Sequence, residues 1–491
     1  MADSPSPANE RRRTAHLALR GAFYVAISDY ALQALGIILG IILTRILAAE
    51  DFGILAFAQA LMSSVSLLTS FSLNEQLTSE REPSSTMIST HWLLSSGLAL
   101  ASLLLVAAAT PLLLRIYQPV TVQVLLALLF FWLLDSRGIG ATPETLLRKE
   151  LRYGALSWVS LASSIVSSAL ALLCAWAGWG VWALVVRQGT RVVIRSASLW
   201  MLSEWRPTFK IDWKVMKTFL VNGSHLWLYA AGMLVTLQYD DFLVGQLRGN
   251  EALGYYERAY HYAELPMSVL SAAYAVIIPT FAKVASDRAA LSKAYGIFLD
   301  SVALVCFPAA VAAAVIAPEF TQVVLGAKWA PIAPLLRILL PFALIRPIMN
   351  GSATLPIVTK QPKVLSRLAG YQILSMLLLC TPMTYFWGVT GAGISADMVQ
   401  LVALGLLYRS YLSKSLSLSP LSRLVWPLVA SGVGAGIALA IQVALHASSL
   451  ILLLIVKTAA FGMVYVGILW LFRRHELREQ ARYLRERFLA Q

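Results

Sequence analysis

VWALVVRQGTRVVIRSASLWML, residues 181–202, is an apolar run of bilayer-spanning length that carries Arg187, Arg191 and Arg195. It reads as a membrane-crossing helix, because about 20 predominantly apolar residues cover the hydrocarbon thickness at 1.5 Å each. The i, i+4, i+8 spacing puts the three guanidinium groups on one face, spread over roughly 12 Å of helix axis. Lipid cannot solvate that face: one arginine near the bilayer centre costs about 2.5–3.5 kcal/mol even on the lenient insertion scale. A water-filled cavity, acidic partners or an anionic ligand must therefore meet the stripe, and transport of an anion is the leading expectation. The competing reading lets Arg195 snorkel to the interface beside Trp200 and Trp205, while Arg187 and Arg191 pair with buried carboxylates.

The rest of the chain agrees with a membrane setting. Of 491 residues, 58% are hydrophobic and 13% charged, against about 25% charged in soluble domains. The fold class expected is an all-α polytopic membrane protein, with about fourteen apolar segments between residues 22 and 472. A formal charge of +14 would suggest nucleic acid in a soluble protein, but its distribution excludes that partner. With the N-terminus inside, 28 of the 39 Lys and Arg fall on cytoplasmic segments, five outside (Arg45, Arg115, Arg248, Arg258, Lys328) and six within helices. The positive-inside rule then gives an even helix count and two cytoplasmic termini in a multi-pass protein of the membrane.

The expected divisions are a disordered basic N-terminus at 1–20, a lobe of helices 1–6 at 21–203, and a cytoplasmic linker at 204–217. A lobe of helices 7–12 follows at 218–412, then helices 13–14 at 423–472 and a basic cytoplasmic tail at 473–491. A faint internal echo supports two lobes. Glu50-Asp51-Phe52-Gly53 matches Glu251-Ala252-Leu253-Gly254 at an offset of 201 residues, and Gly178-Trp179-Gly180 matches Gly391-Ala392-Gly393 at 213. Both pairs occupy equivalent topological positions, as parallel repeats about an axis normal to the bilayer require. The second match sets Gln400 opposite Arg187, so the arginine stripe belongs to the first lobe.

Chemistry-bearing motifs are few. No GxxxxGK[ST] phosphate loop occurs, so energy must come from an ion gradient, the membrane potential or the substrate's own gradient, and no cofactor is expected beyond a coupling H⁺ or Na⁺. Helix 7 ends in adjacent Asp240 and Asp241, which either bind such an ion or neutralise arginines; Asp29 and Asp397 are further candidates for either role, and Asp300 for pairing. Helix 10, LLRILLPFALIRPIMNG (335–351), places Arg346 near mid-depth between Pro341 and Pro347, while Arg337 reads as interfacial. Trp132, Trp176, Trp179, Trp205 and Trp329 fit an interfacial belt. Cys174, Cys306 and Cys380 all fall in predicted helices, and the six histidines lack ligand spacing, so neither a disulfide framework nor a metal site is expected. Gly432, Gly434 and Gly436 lie inside helix 13 and read as close helix packing.

Several strings resemble a known family. These are TRILAAEDFG (44–53), LLRKELRYGALS (146–157), GWGVWALVVRQ (178–188), DDFLVGQLRGNEALGYYERAYHYAELP (240–266), IIPTFAKVASD (277–287), LGAKWAPIAPLLRIL (325–339) and LIRPIMNGSA (344–353). In this order the chain is similar to the Wzx-like polysaccharide (O-antigen/exopolysaccharide) flippases of the MOP (multidrug/oligosaccharidyl-lipid/polysaccharide) exporter superfamily, over roughly residues 20–412. The resemblance implies two lobes around a V-shaped cavity, alternating access, and a polyprenyl-diphosphate-linked oligosaccharide as cargo for lipopolysaccharide or exopolysaccharide synthesis in the bacterial cytoplasmic membrane. Membrane lipids and other polysaccharide-assembly proteins are the remaining expected partners. No residue is expected to be catalytic. Cationic cavity residues are expected to bind the diphosphate, and Arg187, Arg191, Arg346 and Arg195 are the candidates. One rival is cation-coupled efflux of small amphiphiles, against which the arginine stripe speaks. A second is a glycosyltransferase or polymerase of the same pathway, disfavoured by uniformly short outer loops.

Overall fold

The computed structural model describes residues 28–67, 73–80, 82–135, 137–268, 270–416, 420–445 and 449–489. The expected basic N-terminus at 1–20 lies outside the described residues. By contacts the chain forms two compact units: Met1–Gly245 with Gly249–Gly254, and Gln246–Arg248 with Tyr255–Gln491. The first unit holds α1 (Ser28–Ile46), α2 (Ala49–Leu67), α3 (Leu73–Ser79), α4 (Ser85–Leu113), α5 (Pro119–Leu134), α6 (Ala141–Lys149), α7 (Tyr153–Trp176), α8 (Val181–Leu202) and the first part of α9 (Trp213–Ser268). The second holds the remainder of α9, α10 (Ser271–Val284), α11 (Arg288–Val315), the single turn α12 (Ala317–Glu319), α13 (Ile332–Ile338) and α14 (Leu340–Val358). It continues with α15 (Pro362–Leu407), the short α16 (Ser413–Ser415), α17 (Pro420–Leu445) and α18 (Leu450–Leu489). Packing thus groups residues 213–245 with the first unit, whereas the repeat reading opens a second lobe at 218.

Among the described residues seven helices are long and apolar enough to cross a membrane, or eight if α13 and α14, bent by 47°, form one broken span. The protein is a multi-pass, all-helical membrane protein. The α13–α14 break follows from Pro341, which removes a backbone donor at the start of α14. α9 and α15 are each two helices meeting at a glycine, Gly249 (φ 84°) and Gly388 (φ 63°), where the left-handed backbone favours a residue without Cβ. The segment 137–152, between α5 and α7, contains the helix α6, whose Glu144 and Thr142 are buried.

The turn echo in the sequence becomes a contact inside the first unit. A Cβ on Gly53 would lie 1.6 Å from the carbonyl oxygen of Asn250, and one on Gly254 would lie 1.8 Å from that of Ala49. The offset of 201 that relates Gly53 to Gly254 also relates Ala49 to Asn250, so the contact is reciprocal, as at a two-fold interface. Only glycine at both positions lets the backbones approach this closely.

In the second unit, α17 and α18 pack on α11 through Val311, Val315, Ala430, Ala438, Phe461, Tyr465 and Leu469. Of the three expected packing glycines, Gly434 alone is tight, its missing Cβ 3.1 Å from the Phe461 ring. Beside them Lys457 is fully buried, and its ammonium donates to Glu319 Oε1 (2.9 Å), Gln442 Oε1 (3.0 Å) and the Val315 carbonyl (2.9 Å). All three ammonium donors are used, so α18, α17 and the end of α11 are tied at one point. Trp329 departs from the expected interfacial belt: it is completely buried, its ring edge-on to Tyr255 at 5.6 Å. Trp176 and Trp179 are exposed, as a belt requires.

Removing one partner of a buried ion pair strands the other charge. Lys457→Met should therefore cost about 3–5 kcal/mol of stability, with the double variant Lys457→Met/Glu319→Leu regaining most of it. Thermal melting of purified protein in detergent reads the difference, and equal melting of the single variant and wild type would show the triad to be energetically idle.

Candidate functional site

α8 packs Val185, Gly189, Val192 and Ser196 into the first unit, and Gly189 makes room for the Phe131 ring, from which a Cβ would be only 2.3 Å away. Gln188 accepts from the Gln59 amide on α2 at 3.4 Å. Outside this buried strip the helix has two exposed faces. One is apolar, with Trp182 37% and Val193 48% exposed. The other carries Arg191, also exposed. At 100° per residue, positions 191 and 193 lie about 160° apart around the helix. The two sides point in nearly opposite directions, and on one flank the exposed Ala197 and Met201 join them. Arg187 and Arg195 are half-buried on the flank beside Arg191.

The three arginines do not share one environment. Arg195 bonds Asp135 Oδ1 at 3.0 Å and Glu144 Oε1 at 2.8 Å, and Glu144 is shared with Arg148 at 2.7 Å. Glu144 is delivered by α6, its side chain 7% exposed, so the pairing closes off a carboxylate that lipid or protein alone would not accept. Arg195 is thus held by protein carboxylates, unlike the open Arg191.

In the second unit α14 presents Arg346 above the Phe342 ring, guanidinium carbon to centroid 4.9 Å, with the Tyr260 ring at 5.8 Å. It donates to the Tyr260 hydroxyl (2.5 Å) and pairs with Glu264 Oε1 at 3.1 Å. Tyr260 and Glu264 are four apart on α9, hence on one face, and the motif AYHYAE in the sequence carries that signal. Arg337, expected at an interface, donates to the Ala314 carbonyl at 3.3 Å.

The carboxylates divide similarly. Asp397 on α15 is buried, and the backbone N–H of Phe342 meets it. Phe342 is in the first turn of α14, where no intrahelical acceptor exists, so Asp397 caps that turn from a neighbouring helix and sits at the positive end of its dipole. Asp300 pairs with Arg423 at 2.5 Å. Asp240 is buried and Asp241 half-buried, while Asp29 is exposed. Asp397 and Arg346 thus come together on the first two turns of α14. Among the described residues no group of His, Cys, Asp and Glu could hold a metal ion.

The chain is thus a polytopic helical membrane protein with an arginine row along one face of α8. Residues 42–334 match the family described as "Polysaccharide biosynthesis protein", and the chain belongs to that family. Among curated relatives it is 25% identical over 268 residues to the teichuronic acid biosynthesis protein TuaB of Bacillus subtilis, covering 54% of this chain and 55% of that one. It is 25% identical to the succinoglycan biosynthesis transport protein ExoT of Rhizobium meliloti over 308 residues, 61% of this chain and 60% of the other. The chain thus spans somewhat more than half the length of these two relatives. Its fold is that of the lipid II flippase MurJ in an inward closed conformation, at TM-score 0.73 and 13% identity, covering 92% of this chain and 99% of that one.

The Arg195 cluster makes its own prediction. In a double-mutant cycle, Arg195→Gln and Glu144→Gln should couple by about 1–3 kcal/mol, the range for contacting charged neighbours. Additive losses in unfolding free energy would mean that the two side chains do not act on each other.

Proposed function

We propose that this chain is a secondary transporter that flips a polyprenyl-diphosphate-linked oligosaccharide across the bacterial cytoplasmic membrane by alternating access, serving lipopolysaccharide or exopolysaccharide synthesis. The observation that carries the reading is Arg191, exposed on the side of α8 opposite Val193. An exposed arginine in a membrane helix needs water or an anion as its setting. The names of TuaB, ExoT and MurJ, which join polysaccharide synthesis, transport and lipid flipping, support the same cargo class.

In this reading Arg187, Arg191 and Arg346 meet the diphosphate, and Arg195 holds α8 in place through Asp135 and Glu144. Glu264 answers Arg346 while the site is empty and yields it to phosphate, a stronger bidentate acceptor. The lipid tail stays in hydrocarbon, and the arginines lower the electrostatic cost of carrying at least two negative charges. H⁺ or Na⁺ coupling is assigned to Asp240 or Asp241, with Asp397 and Asp29 as the alternates. Fourteen helices with both termini cytoplasmic complete the scheme: lobes at 21–203 and 218–412, a linker at 204–217, two further helices at 423–472 and a cytoplasmic tail at 473–491. Cysteines placed beside Glu50, Glu251 and Lys328 should then label from outside, and cytoplasmic labelling at two of them would end this topology.

Reconstitution with a labelled lipid-diphosphate oligosaccharide, scored for leaflet sidedness with and without an ion gradient, tests the function. Arg187→Ala, Arg191→Ala and Arg346→Ala should each lose most of the flipping rate, with lysine restoring only part, because it keeps charge without the planar fork. Alanine variants at normal level that flip at the wild-type rate would defeat the assignment. Asp240→Asn or Asp241→Asn should abolish gradient-driven movement while leaving substrate binding nearly intact. Loss of folded protein in both variants would make these carboxylates structural partners instead.

A further inference from the structure

At one end of α15, its first turns, its last turn and the segment that follows through α16 enclose a pocket of about 340 Å³ lined by Arg367, Tyr371, Arg409, Ser410 and Lys414 on a floor that includes Leu368. Three cations converge there and no carboxylate lines the pocket among the described residues. The second wall is irregular: Arg409 and Ser410 belong to the π-helix Tyr408–Leu412, a local widening of the helix that recurs at functional sites. A fourth cation, Arg288, reaches this end by donating to the Leu416 carbonyl at 3.3 Å. The acid next to it, Asp287, is committed to capping α11 through the Ala289 and Ala290 amides.

What lies along the helices from the pocket is apolar and open. Arg367, Tyr371, Leu374 and Leu378 follow i, i+4, i+7, i+11 spacing on one face, and Leu374 and Leu378 are 55% and 63% exposed. Ser410, Leu406, Val402 and Met398 step up the other half at intervals of four, with Val402 41% and Met398 40% exposed. Gly370 and Gly405 add side-chain-free openings, with nothing within 4 Å of where a Cβ would stand. A cationic pocket at the foot of exposed hydrocarbon-facing stripes has the polarity of a lipid: anionic head below, chains above. A free phosphate would use only the lower half of this surface.

We propose that this pocket binds the phosphate headgroup of an anionic phospholipid, with its acyl chains along the apolar stripes of α15. The positive-inside distribution assigns this end to the cytoplasmic leaflet, where such lipids and basic pockets meet. The site is separate from Arg187, Arg191 and Arg346 in the transport reading, and occupancy by bulk lipid would hold the two halves of α15 together at their membrane-surface ends.

The test uses the full-length protein, stripped of lipid in detergent, and fluorescent phosphatidylglycerol. Phosphatidylethanolamine, undecaprenyl diphosphate and inorganic phosphate serve as competitors. Arg367→Gln/Arg409→Gln should weaken phosphatidylglycerol binding roughly tenfold or more, given the free energy of a basic residue near an anionic surface. Added salt should weaken wild-type binding too, and phosphatidylethanolamine should compete poorly. Arg187→Ala should leave binding unchanged even where it abolishes flipping, which keeps this proposal and the transport proposal separately testable. Size-exclusion profiles and melting temperatures matching wild type establish that the double variant is folded. Unchanged affinity in that variant overturns the proposal, and so does equal competition by phosphatidylethanolamine. Displacement by undecaprenyl diphosphate or inorganic phosphate at concentrations where unlabelled phosphatidylglycerol does not compete would overturn it as well, by giving the pocket to a different phosphate source.

Discussion

A charge inside hydrocarbon must be answered by an opposite charge, a hydrogen-bonding shell or water, and this rule orders the whole molecule. Lys457 is answered completely, by a carboxylate, an amide and a carbonyl that together use every ammonium donor. Arg195 is answered by two carboxylates brought from different elements, Asp135 at the end of α5 and Glu144 from α6. Arg346 is answered by Glu264, the Tyr260 hydroxyl and the Phe342 ring. Arg191 stands apart, because its side of α8 is open. The gradation separates arginines that hold helices in place from those whose answer must arrive from outside the protein.

Backbone breaks follow the same accounting. A proline at the start of α14 and the bend from α13 leave first-turn amides without intrahelical acceptors, and hydrocarbon supplies none. Asp397 supplies one from α15. That carboxylate has a structural reason to be buried whatever else it does, and the same turn of α14 carries the Phe342 ring beneath Arg346. Any movement of α14 would therefore be felt at an acid and at an arginine together, which gives the Asp397 position a physical route to the anion contact without a direct bond to it.

How much of this was legible in the sequence depended on the distance over which each signal acts. Helical class, the arginine stripe on α8 and the broken helix around Pro341 are local patterns, and hydropathy and spacing convey them. The turn echo was legible as well, and the reciprocal Gly53 and Gly254 contact gives it a steric basis. The partners of Arg195 were not, because Asp135 and Glu144 lie 60 and 51 residues away and look like loop charges until α6 is seen. Trp329 was misplaced for a related reason: an indole near a predicted helix end reads as interfacial, and only the packing against Tyr255 shows it to be core. The i, i+4 pair Tyr260 and Glu264 was visible and could have pointed to a shared cation.

Charge that is neutralised within the protein and charge left open do different work, and α15 shows why both are kept in one chain. Its second half carries buried Asp397, which meets the Phe342 backbone N–H at a helix end, while Arg367 near its start and Arg409 and Lys414 just beyond its last turn surround an open pocket. A like-charged cluster with no acid in its lining repels itself, so retaining it has a cost that an arriving anion relieves. The same reasoning applies to Arg191 on α8. In the two proposals made for these places, the unanswered charge is an electrostatic liability that a phosphate-bearing lipid relieves.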